Sequence, residues 1–139
     1  MKKIFVLLFS FILLIPTSVT AEIILYCKSD LSTGIGKLNG AWVTSEFNSE
    51  RWTIKFNDSY SKLYGLEKEN RFPYLCSAPY KQAPHLLACL SSYKNGQSFM
   101  FNKIKNRFVY SMSSVTGYVN DVPEDIDTNA THAGICSKF

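Results

Sequence analysis

Apolar and polar residues alternate along most of this chain with period two, the pattern of strands that bury one face. Arg51 to Asn57 is the clearest case: Trp52, Ile54 and Phe56 share one face, Arg51, Thr53 and Lys55 the other. Ile23, Leu25 and Cys27 alternate in the same way, as do Phe99 with Phe101, and Phe108 with Tyr110 and Met112. Between the last two runs, Asn102-Lys103-Ile104-Lys105-Asn106 reads as a polar hairpin turn. Shorter strands are predicted over Ala41–Thr44, Tyr60–Tyr64, Phe72–Ser77, Leu86–Leu90 and Ile135–Phe139. Loops are predicted at Thr33-Gly34-Ile35-Gly36, Asn39-Gly40, Asn95-Gly96 and Thr116-Gly117. The fold class that follows is all-β: a small antiparallel β-barrel or sandwich of about seven to nine short strands.

An immunoglobulin sandwich can be tested by its landmarks, because Trp42 and Cys89 follow Cys27 by 15 and 62 residues. Leu87 stands where that fold places a tyrosine, and Cys76 and Cys136 would be left as the second pair. A barrel whose first and last strands are tied together fits better, since closure removes exposed sheet edges.

The first residues follow a different logic. Met1-Lys2-Lys3 is a positive start, Ile4 to Ile15 is apolar apart from Ser10, Pro16 breaks the run, and Val19-Thr20-Ala21 supplies small residues. This is the layout of a secretory signal peptide over residues 1–21, with cleavage expected between Ala21 and Glu22. An apolar stretch of about 12 residues is shorter than the roughly 20 that span a bilayer. The expected product is one disulfide-stabilised β-domain over residues 22–139, periplasmic or secreted, with no membrane span. Loss of Lys2 and Lys3 from 15 basic and 11 acidic residues lowers the net charge from +4 to +2. So small an excess argues against a nucleic-acid binder.

Four cysteines in an exported chain, Cys27, Cys76, Cys89 and Cys136, imply two disulfides with three possible connectivities. The nested pairing, Cys27–Cys136 with Cys76–Cys89, is expected. It ties the chain ends together and closes a segment whose Pro79 and Pro84 suit a loop between antiparallel strands. Without a C-x-x-C pair and with only two histidines, no zinc site or other cofactor is expected.

Catalytic patterns are missing as well. There is no G-x-S-x-G and no phosphate-cradling glycine loop. His85, just ahead of an apolar strand, reads as a strand-opening residue, and His132 reads as a freely titrating residue of a polar loop. No catalytic residues are assigned. Asp121 to Asn129 is acidic, and Asp125, Asp127 and Asn129 resemble the opening of a calcium loop. Ala130 and Cys136 occupy its obligatory glycine and glutamate positions, so only a weak calcium contact is conceivable there. Lys94, Lys103, Lys105 and Arg107 interleave with Phe99, Phe101, Phe108 and Tyr110. From these, Lys103, Lys105 and Arg107, with Tyr118, are the candidate binding residues.

Cys27, Thr33-Gly34, Trp42, Cys76 with Cys89, Phe99-x-Phe101-Asn102, Arg107-Phe108, Gly117-Tyr118 and Gly134-x-Cys136 occur in this order. The order resembles a group of short exported proteobacterial proteins of no assigned biochemical function. That resemblance implies a two-disulfide framework and supplies no catalytic residues. Tyr26-Cys27 and the late cysteine are also loosely similar to periplasmic inhibitors of c-type lysozyme, which are small β-barrels. Ser113-Ser114-Val115-Thr116-Gly117-Tyr118 is a distant echo of their loop motifs. The functional expectation is a non-enzymatic binding protein of the bacterial envelope, with an unidentified protein or envelope component as partner. Inhibition of an exogenous hydrolase such as lysozyme is the alternative.

Overall fold

A computed structural model of the chain describes residues 21–67, 72–93, 96–113 and 129–138. Every regular element among them is a strand: β1 (Ile23–Leu38), β2 (Ala41–Glu46), β3 (Arg51–Phe56), β4 (Lys62–Tyr64), β5 (Tyr74–Ser77), β6 (Leu86–Ser91), β7 (Ser98–Asn102), β8 (Arg107–Met112) and β9 (Asn129–Lys138). All pair antiparallel in the order β2-β1-β3-β4-β5-β6-β7-β8-β9, and β9 returns to pair with β1. The result is a closed eight-stranded barrel, with β2 as a ninth strand alongside the far half of β1. Of barrel and sandwich, the barrel is realised.

Local chemistry explains the connections. Asn39 and Gly40 both take positive φ, 50° and 81°. That conformation makes the two-residue turn whose twist suits a hairpin, and it joins β1 to β2. In the β7–β8 turn, Asn102 Oδ1 accepts the N–H groups of Ile104 and Lys105, both at 3.0 Å, as the polar run there predicts. The prolines between Cys76 and Cys89 lie in the β5–β6 loop, as expected.

One predicted loop is corrected. Thr33-Gly34-Ile35-Gly36 is not a turn but the middle of β1, paired with β9 on one side and β2 on the other. Gly34 serves close approach rather than chain reversal, as does Gly134 of β9. A Cβ on Gly34 would lie 1.9 Å from the Asn129 carbonyl oxygen, and one on Gly134 would lie 2.0 Å from that of Lys28. The strand predicted from Ile135 is likewise, as far as Lys138, the end of a longer one, β9; Phe139 lies outside the described residues.

The interior is filled by Leu25, Ile54, Phe56, Leu63, Tyr74, Leu87, Phe99, Phe101, Phe108 and Tyr110. Phe99 stacks on Phe108 at 5.4 Å, and Phe56 on Phe101 at 5.6 Å. An eight-stranded barrel is just wide enough for such side chains to fill it.

Both disulfides have the nested pairing, Cys27–Cys136 and Cys76–Cys89. Each links residues that face each other in register, across β1–β9 and β5–β6. Their sequence separations are 109 and 13, so the barrel-closing bond constrains far more of the unfolded chain. In the chain-entropy model the long closure contributes about 4.7 kcal/mol and the short one about 3 kcal/mol. Replacing Cys27 and Cys136 by alanine is therefore expected to lower the urea midpoint more than replacing Cys76 and Cys89, with each pair measured against the oxidised protein.

Candidate functional site

A β-bulge in β1 creates the main surface feature. Ser29 faces Gly134 and Leu31 faces Ala133, which leaves Asp30 as an extra residue without an opposite number. Leu25, Cys27 and Ser29 point inward by alternation, and Leu31 would follow them without the bulge. Instead Leu31 is 71% exposed on the outside of the barrel. Re-aiming a side chain in this way is what bulges do beside binding sites.

Outside, Leu31 ends a cross-strand row. Ala88 faces Met100, Met100 faces Val109, Val109 faces Ala133, and Ala133 faces Leu31, so β6, β7, β8, β9 and β1 each contribute one apolar residue. Pro79 and Tyr80 of the β5–β6 loop overhang the row, and together they enclose an outer groove of about 660 Å³. Its floor is the outer wall of a packed core. Met100 is 57% exposed.

The next row along the strands is cationic. Asn102 faces Arg107, Arg107 faces Ile135, Ile135 faces Lys28, and Lys28 faces Arg51. A second hollow of about 440 Å³ is lined by Lys28, Arg51, Tyr26 and Ser137, and Ile135 borders both hollows. Among the described residues the one ion pair is Lys55 with Glu22 at 3.3 Å; Lys28, Arg51 and Arg107 take no part in it.

A chain of hydroxyls, Ser29 buried and Ser32 half-buried, holds the bulge from inside. Glu50 N–H donates to Ser29 Oγ at 2.8 Å, Ser32 Oγ donates to Ser29 Oγ at 3.1 Å, and Ser32 Oγ is 2.9 Å from His132 Nδ1. His132 is thus not a residue of a polar loop. It lies within β9 at 1% exposure, packed against Trp52 at 5.4 Å and Tyr110 at 6.3 Å. The alternation of Ala130, His132, Gly134 and Cys136 turns it inward, and a loop reading overlooks that register. Nε2 has no partner. His85, half-buried directly before β6, opens that strand as expected, and its carbonyl accepts Lys103 N–H at 2.9 Å.

A second interior polar cluster gathers Tyr74, Tyr110 and Gln97. Both phenols donate to Gln97 Oε1, that of Tyr110 at 3.1 Å, and the two hydroxyl oxygens are 3.3 Å apart. Burial pushes the Tyr74 hydroxyl above the usual tyrosine range, helped by its neighbour Tyr110 and by Glu67. Burial also raises Tyr110; its hydrogen bond with Tyr74 partly offsets this, and the charges of Glu67 and Glu50 add to it.

The candidate binding residues separate. Arg107 stands on the outer face of β8 and lines the groove. Lys103 lies in the adjacent turn, its ammonium 5.0 Å from the Tyr60 ring, and Lys105 is exposed at the tip of that turn. Tyr118, Lys94 and the acidic residues Asp121 to Thr128 lie outside the described residues, whereas Asn129 opens β9. Among the described residues no three of His, Cys, Asp and Glu gather as a metal site. Met100, Val109, Ala133 and Leu31 escape sequence reasoning focused on charge. The signal was nonetheless present in Phe99-Met100-Phe101 and Phe108-Val109-Tyr110, where alternation gives way to apolar residues on both faces.

No protein-family model, no curated protein and no solved structure matches this chain.

The two tyrosines generate a pH dependence of stability. Their raised values keep both neutral in the folded barrel where an unfolded tyrosine ionises, so above about pH 10 the unfolded state binds fewer protons. Stability from this source is complete below that pH and falls as pH rises further. Urea titrations across this range are expected to show a falling midpoint, with a shallower fall for the Tyr74→Phe, Tyr110→Phe double variant.

Proposed function

We propose that this protein is an exported, non-catalytic binding module of the bacterial envelope whose ligand seat is the outer groove over β6 to β9 and β1. The carrying observation is the five-residue apolar row on the outside of a barrel whose inside is already full. A barrel that encloses its ligand needs room within, and here aromatic rings occupy the axis. Two disulfides suit an oxidising compartment, which agrees with the signal-like start, and among the described residues no helix is long and apolar enough to cross a membrane. The engagement of Ser32 with Ser29, whose Oγ accepts the Glu50 N–H, supports a structural role for the Ser32–His132 pair.

A second reading, inhibition of a hydrolase, is favoured by one feature. The β1–β2 hairpin ends in an exposed Asn39-Gly40 turn, and β2 has pairing on only one edge among the described residues. A hairpin of this kind can enter an enzyme's cleft.

Native mass spectrometry of the protein recovered from its own envelope is expected to show a bound species. The Met100→Glu, Val109→Glu double variant should lack it while keeping an unchanged urea midpoint, because both side chains point outward. Retention of the species by the variant would remove the groove as the seat. Lysozyme turnover measured with micromolar protein decides the second reading, and an unchanged rate eliminates it.

A further inference from the structure

From the two adjoining hollows we infer that the groove takes a single long-chain carboxylate, with its acyl chain along the apolar row and its head group among the cations. This rests on the binding-module reading and names the ligand class for the same site. The apolar row crosses five strands, so measured around the sheet it runs for about 19 Å at roughly 4.8 Å per strand spacing. A hollow of about 660 Å³ falls within the usual range for small-molecule sites. Ala88, Met100, Val109, Ala133 and Leu31 offer no hydrogen bonds from their side chains, which suits methylene groups and little else.

The head group follows from charge. Arg107, Lys28 and Arg51 stand in one row beside the apolar one, each exposed and with no carboxylate partner among the described residues. Asp30 is the single acidic residue on the lining of either hollow, so the walls carry a surplus of positive charge. Arg107 lies at the junction, lining the apolar hollow and facing Ile135, which borders both. A guanidinium fork there can receive a carboxylate through two parallel N–H···O bonds. Lys28 and Arg51 act at longer range as point charges. A neutral lipid would satisfy the row of methyl groups and leave the cations unused; a small anion would do the reverse.

Calorimetric titration of the oxidised protein tests this with oleate below its micelle concentration, methyl oleate, butyrate and vesicles of anionic phospholipid. Oleate is expected to bind one to one. Methyl oleate should bind about tenfold more weakly or worse, the factor a charge-assisted hydrogen bond provides, and butyrate should show no saturable binding. Arg107→Gln should reduce oleate to the affinity of the ester. Leu31→Asn, at a position 71% exposed, should weaken both long-chain ligands alike, and it serves as the control if Val109→Glu perturbs the barrel.

Equal affinity for oleate and its ester would overturn the head-group assignment. Binding of vesicles without binding of monomeric oleate would overturn the single-chain ligand in favour of a membrane surface. Failure of oleate to bind, while the groove variant still loses the species seen by native mass spectrometry, would overturn the ligand class and leave the binding module standing. Failure of both would remove the two together.

Discussion

Closure of β1 against β9 is the constraint on which the rest of this structure depends. Without that seam the sheet is an open ribbon with two long unpaired edges, and its aromatic face is exposed to water. Three devices act at the seam together. Cys27 and Cys136 face each other in register and are bonded. Gly34 and Gly134 omit the Cβ atoms that would collide with carbonyl oxygens of the opposite strand. Ser29, Ser32 and His132 form a buried polar chain beside them. The disulfide lowers the entropy of the unfolded chain, the glycines permit the approach, and the polar chain fixes the register.

The bulge is where closure and surface chemistry meet. Inserting Asp30 reverses the parity of β1, so Ser32 rather than Leu31 points inward and reaches His132. Burying a serine pair and a histidine is unfavourable unless their donors and acceptors are matched. Here His132 Nδ1, Ser32, Ser29 and the Glu50 main chain are matched in sequence, which leaves only Nε2 alone. Such a chain has one good arrangement, so it fixes the bulge at one position. Leu31 is thereby held outside as the fifth member of the apolar row. The polar interior and the apolar exterior are two consequences of one inserted residue.

The sequence disclosed the barrel through features whose signal is local. Period-two alternation located the strands, Asn39-Gly40 marked a hairpin, and cysteine position suggested the nested bonds. It misled where a local signal had a long-range cause. Gly34 and Gly36 look like a turn until β9, about a hundred residues away, is laid beside them. His132 looks solvated because its neighbours in sequence are small, yet its neighbours in space are Trp52, Tyr110 and Ser32. The outer row was the least visible feature, since one residue from each of five strands makes it and only the register aligns them. Of the basic candidates, Arg107 falls on that face because β8 carries it outward, whereas Lys103 and Lys105 belong to the turn beyond.

A strand has two faces, and in most antiparallel barrels one is apolar and the other polar. Around this barrel the outer face changes character with position. On β3 it carries Arg51, Thr53 and Lys55, an ordinary solvated surface. On β7 and β8 it carries one apolar residue each, Met100 between Ser98 and Asn102 and Val109 between Arg107 and Ser111, and these two face each other across the strands. Solvation alone gives no reason for that asymmetry, because lysine or threonine would serve at those outward positions as they do on β3. Core packing gives none either, since these side chains touch the interior only through the sheet. The register adds continuity: Met100 and Val109 stand in one cross-strand row with Ala88, Ala133 and Leu31. Arg107, Lys28 and Arg51 run beside it, and it is this pairing of an apolar row with a cationic one that the proposed ligand, with an apolar length and a negative end, is matched to.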